Sequence, residues 1–415
     1  MSDKHLPLGW LIFAAALLLR LAWVLTCWTA NGPSLEFDDE RLHWDLARNL
    51  IQHGEMVSSD GRYAARMPAY PLFLSVFAGF GDAGILLARL AQAGLGAASA
   101  AMAYWLARAA LGRAGGLLAG LLVAFDPYAI FFANLLLTEV PFTLLLLGLT
   151  ACAWRLAAVA RPAWGAFAGV AVLGPTAIML RPPAAGWLFL LWALLLVMRG
   201  FSRRAVVQTA AFTGILVVLM LPWGLRNQAA LGAWAWLSTN GGVTLYDALG
   251  PQANGSSNQT FIHELPELSD LDEVARDRLL RERAWDELRR DPGRAWRLAG
   301  VKFLRTWSLV PNVADYREGA VALASAAYTL LVLILAGVGL LRCLARWARP
   351  TTIAYHALLW LPVVYFTLVH CLFIGSLRYR VPLMPLLALA AATALLNGRD
   401  TPDSSAEQAA SADRP

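Results

Sequence analysis

Residues 6–29 read LPLGWLIFAAALLLRLAWVLTCWT, and a short polar stretch then leads to Asp38-Asp39-Glu40. The apolar run is long enough to cross a hydrocarbon core of about 30 Å as a helix. A carboxylate is costly at the centre of a bilayer, so the three acidic residues belong at its edge or in a wet cavity. One fixed carboxylate at a membrane face can take a proton from a hydroxyl group.

The rest of the chain has the same character. Of its 415 residues, 58% are hydrophobic and 15% charged, and its mean hydropathy is +0.54. Soluble domains carry about 25% charged residues. Apolar runs of about 17–25 residues recur from end to end, which predicts an all-α polytopic membrane protein, because a lipid-exposed backbone must satisfy its own hydrogen bonds. The first run is too long for a signal-peptide core and lacks a small-residue cleavage site, so it is read as a helix. Cys27, Cys152, Cys343 and Cys371 lie in or near apolar segments without paired spacing and read as small core residues. The net charge of +6 is scattered over short loops and gives no nucleic-acid-binding pattern.

About ten spans are predicted, at 8–30, 84–109, 114–133, 138–158, 163–180, 184–199, 205–224, 321–342, 353–375 and 380–396. A shorter apolar stretch, 70–80, is expected to be interfacial or re-entrant. With a cytoplasmic N-terminus, Lys4, Arg108, Arg113, Arg155, Arg161, Arg199, Arg203, Arg204, Arg342, Arg346 and Arg349 all fall on the cytoplasmic side. The loop 31–83, the turns near 126–139 and Arg181, the segment 225–320 and residues 376–380 then face outward. This divides the chain into a transmembrane module (1–224) with a catalytic first outer loop (31–83), an exoplasmic segment (225–320), C-terminal transmembrane helices (321–396) and a disordered cytoplasmic tail (397–415). Within the exoplasmic segment, residues 237–260 are rich in Gly, Asn, Ser and Thr and predict loop. Residues 270–290 predict an amphipathic helix ended by Asp291-Pro292-Gly293, and residues 294–307 a second helix lying on the membrane surface.

Chemistry-bearing residues gather on the outer side. Asp39, His43 and Ala47 share a helix face by their spacing of four. An alternative makes Asp38 or Asp39 a helix cap. Arg66-Met67-Pro68-Ala69-Tyr70-Pro71 stands at the foot of the short apolar stretch, where Arg66 could also reach lipid headgroups. Thr138-Glu139 opens one span, Arg181-Pro182-Pro183 ends another, Arg226-Asn227 follows Pro222-Trp223, and Arg378-Tyr379-Arg380-Val381-Pro382 opens the last. Arginines at a membrane edge commonly snorkel, but several on the side that should be poor in them suit a phosphate or pyrophosphate, which they bind by charge-assisted, often bidentate hydrogen bonds. Arg20 and Arg89, inside apolar runs, are expected to pair with acidic groups or backbone carbonyls. There is no His-x-x-x-His or Glu-x-x-His spacing; no metal ligands are assigned, although a divalent metal between Asp39 and a histidine is an open alternative.

The Asp39-Glu40 pair after the first span, the Ala47-x-x-Leu50-x-x-x-Gly54 spacing and the Arg66-x-Pro68-x-Tyr70-Pro71 motif resemble membrane glycosyltransferases of the GT-C fold. The likeness is to the bacterial branch related to protein O-mannosyltransferases and the aminoarabinose transferase of lipid A (glycosyltransferase family 39-like). It continues through Pro127, Thr138-Glu139, Arg181-Pro182, Pro222-x-x-x-Arg226-Asn227 and Ser238-Thr239-Asn240-Gly241-Gly242 to Arg378-Tyr379-Arg380-x-Pro382. It therefore covers about residues 8–396. The family usually has tyrosine four residues after the Asp, where this chain has His43, and Asp38 leaves the register open by one residue. The resemblance implies a GT-C bundle with exoplasmic loop helices in a bacterial inner membrane. It implies transfer of a sugar from a polyprenyl-phosphate donor to a hydroxyl of a lipid, glycan or protein acceptor on the outer face, with inversion. Asp39 would be the general base, with Glu40 assisting; Arg378 and Arg380, with Arg66 or Arg181, would hold the donor phosphate; His43, Tyr70, Glu139 and Asn240 would line the acceptor pocket. Two other readings stand beside this one: a transporter or lipid flippase, disfavoured because no internal symmetry is visible, and a non-catalytic membrane partner of the same fold.

Overall fold

The computed structural model describes residues 6–158, 163–313, 316–345 and 350–395. Lys4, Arg161, Arg346, Arg349 and the tail 397–415 lie outside the described residues. Within them the chain is helical and has no β-strand. In order the helices are α1 (Leu6–Asn31), α2 (Asp38–His53), α3 (Ala69–Ala78), α4 (Asp82–Ala124), α5 (Pro127–Phe132), α6 (Glu139–Ala158), α7 (Trp164–Leu180), α8 (Ala184–Met198), α9 (Arg203–Leu231), α10 (Gly241–Leu249), α11 (Phe261–Glu264), α12 (Glu273–Arg290), α13 (Pro292–Thr306), α14 (Gly319–Ala345), α15 (Pro350–Leu372) and α16 (Met384–Ala392). Six of the described helices are long and apolar enough to cross a membrane: α1 from Leu8, α4, α6, α9, α14 and α15 from Ile353. Helices α3, α7 and α8 are apolar but shorter.

The predicted spans map onto these helices in different ways. The predicted span 84–109 lies in the first limb of α4 and 114–133 covers the second limb and α5, the two limbs being separated at Gly112, whose φ of 77° no α-helix contains. The second limb folds back on the first: a Cβ on Gly120 would stand 2.9 Å from both Tyr104 Cβ and Ile12 Cδ1. Asp126-Pro127 then breaks the chain again, with the Asp126 carboxylate capping α5 through the amides of Tyr128 and Ala129. The last predicted span, 380–396, is a 3-10 turn (Leu377–Leu383) followed by α16, all nine residues of which are buried. Gly339 of α14 lies so close to the Ala390 carbonyl that a Cβ would collide with it. Small residues allow this approach, and Pro382 and Pro385 remove backbone donors where a long helix would need them. Arg20 and Arg89 both donate to carbonyls, Arg20 to Ala16, Val123 and Ala124, and Arg89 to Gly32 and Ser34.

Residues 237–260 are not all loop. Helix α10 forms there because Val243, Leu245, Ala248 and Leu249 bury themselves against Leu280 and Ala284 of α12. The Gly242 amide donates to the Asp277 carboxylate at 2.5 Å, an approach that only glycine permits, since a Cβ would strike the Asp277 carbonyl. Helices α12 and α13 form where the amphipathic pattern predicts them and meet at the Asp291-Pro292 cap.

Candidate active site

Helix α2 starts with three acidic side chains, a favourable arrangement at the positive end of a helix. The cap is made by Glu40, not by Asp38 or Asp39. One Glu40 oxygen accepts the Glu36 and Phe37 amides at 3.0 and 3.1 Å, and the other accepts the Leu136 amide at 2.7 Å. Glu40 is fully buried, and burial raises its pKa against the opposing pull of those amides. Its carboxylate thus anchors α2 to the loop before α6, and it has no hydrogen bond to the Asp39 cluster.

Asp39, one residue earlier, turns the other way and receives two arginines. Arg66 Nη2 donates to Oδ1 at 2.6 Å and Arg378 Nη1 to Oδ2 at 2.6 Å. Arg378 Nε also donates to Glu139 Oε1 at 2.8 Å, and Arg181 Nη2 donates to the same oxygen at 3.1 Å. The starts of α2 and α6, the end of α7, the segment before α3 and the 3-10 turn therefore converge on two carboxylates and three guanidiniums, a cluster of formal net charge +1. The Glu139 side chain is fully enclosed, whereas that of Asp39 is 32% exposed, so a reactant can reach Asp39. Burial pushes the Asp39 pKa up, but Arg66 and Arg378 outweigh it and hold the carboxylate ionised far below its usual range. Burial likewise disfavours the Arg378 charge, and Glu139 with Asp39 more than restores it.

Tyr379 forms an aromatic plate under the cations. The guanidinium carbons of Arg181 and Arg378 each stand 5.5 Å from its ring centre, and His370 stacks on it at 3.8 Å and 5°. Arg378 also lines an apolar chamber of about 450 Å³, together with Trp23, residues of α5 such as Tyr128 and Phe131, and Val321 of α14.

Other residues singled out in the sequence stand elsewhere. Arg380 stands apart from the cluster: it is fully buried, donates to the Ser308 carbonyl at 2.5 Å and the Thr329 hydroxyl at 3.1 Å, and lies over the Tyr128 ring. In a 3-10 turn with three residues per turn, positions two apart point in different directions, so Arg380 does not share the side on which Arg378 meets Asp39 and Glu139. Asn240 precedes α10 and donates to Thr244 at 3.2 Å, outside the cluster. Tyr70 is buried, donates to Gln92 at 3.0 Å and packs edge-on against His43, with ring centres 4.9 Å apart.

His43 is neutral in this setting. Burial, seconded by Arg66, drives its pKa down to about 3. Protonation is then disfavoured in the folded chain but not in the unfolded one, so folding loses stability as pH falls below about 6.5, by roughly 1.4 kcal/mol per pH unit until about pH 3. The His43→Gln variant should show a shallower decline of melting temperature between pH 6.5 and 4.5 than the parent chain; equal slopes would count against the buried neutral imidazole.

Two residues that position the site were not marked as such by the sequence. Glu273, at the start of α12, accepts the Tyr63 and Ala64 amides at 2.8 and 2.9 Å, and Arg226 donates to the carbonyls of Tyr63 and Met56. Thr239 adds a backbone bond to Ala64. The segment carrying Arg66 is thus strapped to α9, to α12 and to the segment before α10. Glu273→Ala should destabilise the fold by about 2–3 kcal/mol, the scale of losing hydrogen bonds to a charged acceptor, and should expose residues 55–66 to limited proteolysis. Among the described residues, no group of three or more His, Cys, Asp or Glu side chains is placed to hold a metal ion. A divalent ion at Asp39 would have to displace the guanidiniums on both of its oxygens.

No family model matches the chain, and no curated protein matches it in sequence. Solved structures do match it in fold. ArnT from Cupriavidus metallidurans, bound to undecaprenyl phosphate, superposes with a TM-score of 0.54 at 17% identity, over 97% of this chain and 63% of that one. The archaeal oligosaccharyltransferase AglB from Archaeoglobus fulgidus, in complex with an inhibitory peptide and a dolichol-phosphate, gives 0.54 at 13% identity, over 95% and 50%. The apo form of the Archaeoglobus fulgidus oligosaccharyltransferase gives 0.56 at 13%, over 95% and 51%. The chain has the GT-C fold of these membrane glycosyltransferases and spans between half and two thirds of their length.

Proposed function

We propose that the protein is an integral-membrane glycosyltransferase that moves a sugar from a polyprenyl-phosphate donor to an acceptor hydroxyl. The observation that carries this reading is that Arg378 joins two environments: it grips Asp39 and also lines an apolar chamber. A polyprenyl chain in that chamber would bring its phosphate to the guanidinium. The lipid phosphates bound to ArnT and AglB support a donor of this kind.

In the proposed reaction, the acceptor oxygen attacks the anomeric carbon as Asp39 takes its proton. The bond from that carbon to the phosphate oxygen breaks, and the electron pair leaves with the polyprenyl phosphate. A single displacement inverts the anomeric centre. Arg378, with Arg66 nearby, neutralises the charge that grows on the phosphate. The same exchange serves the base: an ionised Asp39 clamped by two arginines is weakly basic, and a phosphate that draws Arg378 away returns its proton affinity. Glu139 and Arg181 hold Arg378 in line. Glu40 and Arg380 act as anchors of α2 and of the 3-10 turn. The active site faces the exterior of a bacterial cell membrane, with both termini inside, and the segment 225–320 meets the acceptor.

Membrane vesicles carrying the protein, given polyprenyl phosphates bearing labelled sugars and an envelope extract, should transfer label to a lipid, glycan or protein fraction. A transporter would leave the glycosidic bond intact. Failure across a broad panel of monosaccharide donors, with the chain properly inserted, would overturn the proposal.

A further inference from the structure

The apolar chamber that Arg378 lines has one polar corner. Ser376 caps the 3-10 turn that Leu377 and Arg378 begin, and all three line the chamber, as does Asn312. The Leu377 amide donates to Asn312 Oδ1 at 2.8 Å, and the Arg378 amide donates to Ser376 Oγ at 3.4 Å. These two bonds bring Asn312 to the start of the turn, although it stands 65 positions before Leu377. Among the described residues, those that line the chamber include no Asp or Glu.

The corner offers donors. The Leu377 N–H can meet only an acceptor, so the Asn312 amide is turned with its oxygen to the backbone, and its Nδ2 keeps two N–H groups without a partner among the described residues. The Ser376 oxygen accepts, which leaves its O–H free to donate elsewhere. Arg378 supplies the charge, but its Nε and Nη1 already meet Glu139 and Asp39. Polyprenyl phosphate, the product released in the reaction proposed above, carries three strong acceptor oxygens. Desolvating such a group beside an apolar chamber is costly unless each oxygen is bonded. One guanidinium already shared by two carboxylates does not meet that demand, and two neutral donors that no carboxylate occupies complete it.

We propose that Asn312 and Ser376 are further ligands of the lipid phosphate, joining Arg378 at the mouth of the chamber; the inference rests on the donor reading given above. The test uses the full chain in phosphatidylcholine nanodiscs loaded equally with undecaprenyl phosphate or with undecaprenol, and native mass spectrometry to titrate retained lipid. The parent chain should prefer the phosphate. Asn312→Ala should weaken affinity for the phosphate about tenfold, the lower end for a hydrogen bond to a charged group, and leave undecaprenol unchanged. Asn312→Asp keeps an acceptor for the Leu377 amide, so it preserves that contact should the alanine variant misfold, and its carboxylate should weaken phosphate retention further than alanine does. A residue that merely holds Leu377 would give the opposite order. Ser376→Ala should act in the same direction as Asn312→Ala. Equal retention of the two lipids by the parent chain would overturn the donor reading and this inference with it. A preference that is present and falls in Arg378→Gln, but is unchanged in both Asn312 variants, would overturn this inference alone. So would an equal loss of undecaprenol in Asn312→Ala, which marks a structural role, or displacement of the lipid by inorganic phosphate at matched concentration, which assigns the corner to a soluble anion.

Discussion

The Asp39→Asn protein should insert and fold but transfer sugar about 10²–10⁴ times more slowly, the usual contribution of a positioned general base. Asparagine keeps the shape of the side chain and one acceptor for Arg66 or Arg378, but it cannot take the acceptor's proton. Its structural cost is bounded by geometry. The Asp39 carboxylate is 32% exposed, so losing its ion pairs costs less than the 3–5 kcal/mol typical of a buried pair and more than the 0–1 kcal/mol of a surface one. Donor binding should survive, because the charge left on Arg66 and Arg378 still attracts phosphate. The decisive comparison is therefore turnover against retention of polyprenyl phosphate in the same preparation. Near-normal turnover by Asp39→Asn would remove the base from the proposal.

The second large effect falls on Arg378→Gln. This one side chain contacts both carboxylates of the cluster and the apolar chamber. Its loss should raise the donor KM and lower kcat together, with a combined fall of about 10²–10³ in kcat/KM, the scale of removing one group that stabilises developing charge. Stability should also suffer, because Glu139 is fully enclosed and, among the described residues, keeps Arg181 alone as a charged partner; removing one member of such a pair costs about 3–5 kcal/mol. Arg378→Lys separates the two effects. Lysine restores the charge but not the planar fork that reaches Asp39 and Glu139 at once, so it should recover stability further than it recovers turnover. A donor KM unchanged in both variants would sink the assignment of Arg378 to the phosphate.

Much of this architecture was legible before the fold. Hydropathy and span length are local properties, and they place α1, α4, α6, α9, α14 and α15 where long apolar helices stand. The break at Gly112 was visible as a gap between two apolar runs, and the Asp291-Pro292 cap as a stop signal. The loop reading of residues 237–260 failed because the burial that makes α10 is supplied by α12, which the local composition of Gly, Asn and Ser does not register.

The sequence alone determined that the chain is embedded in a membrane, that an acid follows its first span, and that arginines recur at helix ends on the side of that acid, since each depends only on residues close together in the chain. Tertiary structure decided which of these groups meet. Asp39 and Arg378 are 339 positions apart and bond at 2.6 Å. Their neighbours Glu40 and Arg380 turn elsewhere, because adjacent positions on a helix and alternate positions on a 3-10 turn face different directions. The strap by Glu273 and Arg226 and the chamber at Arg378 likewise exist only once helices distant in sequence have packed.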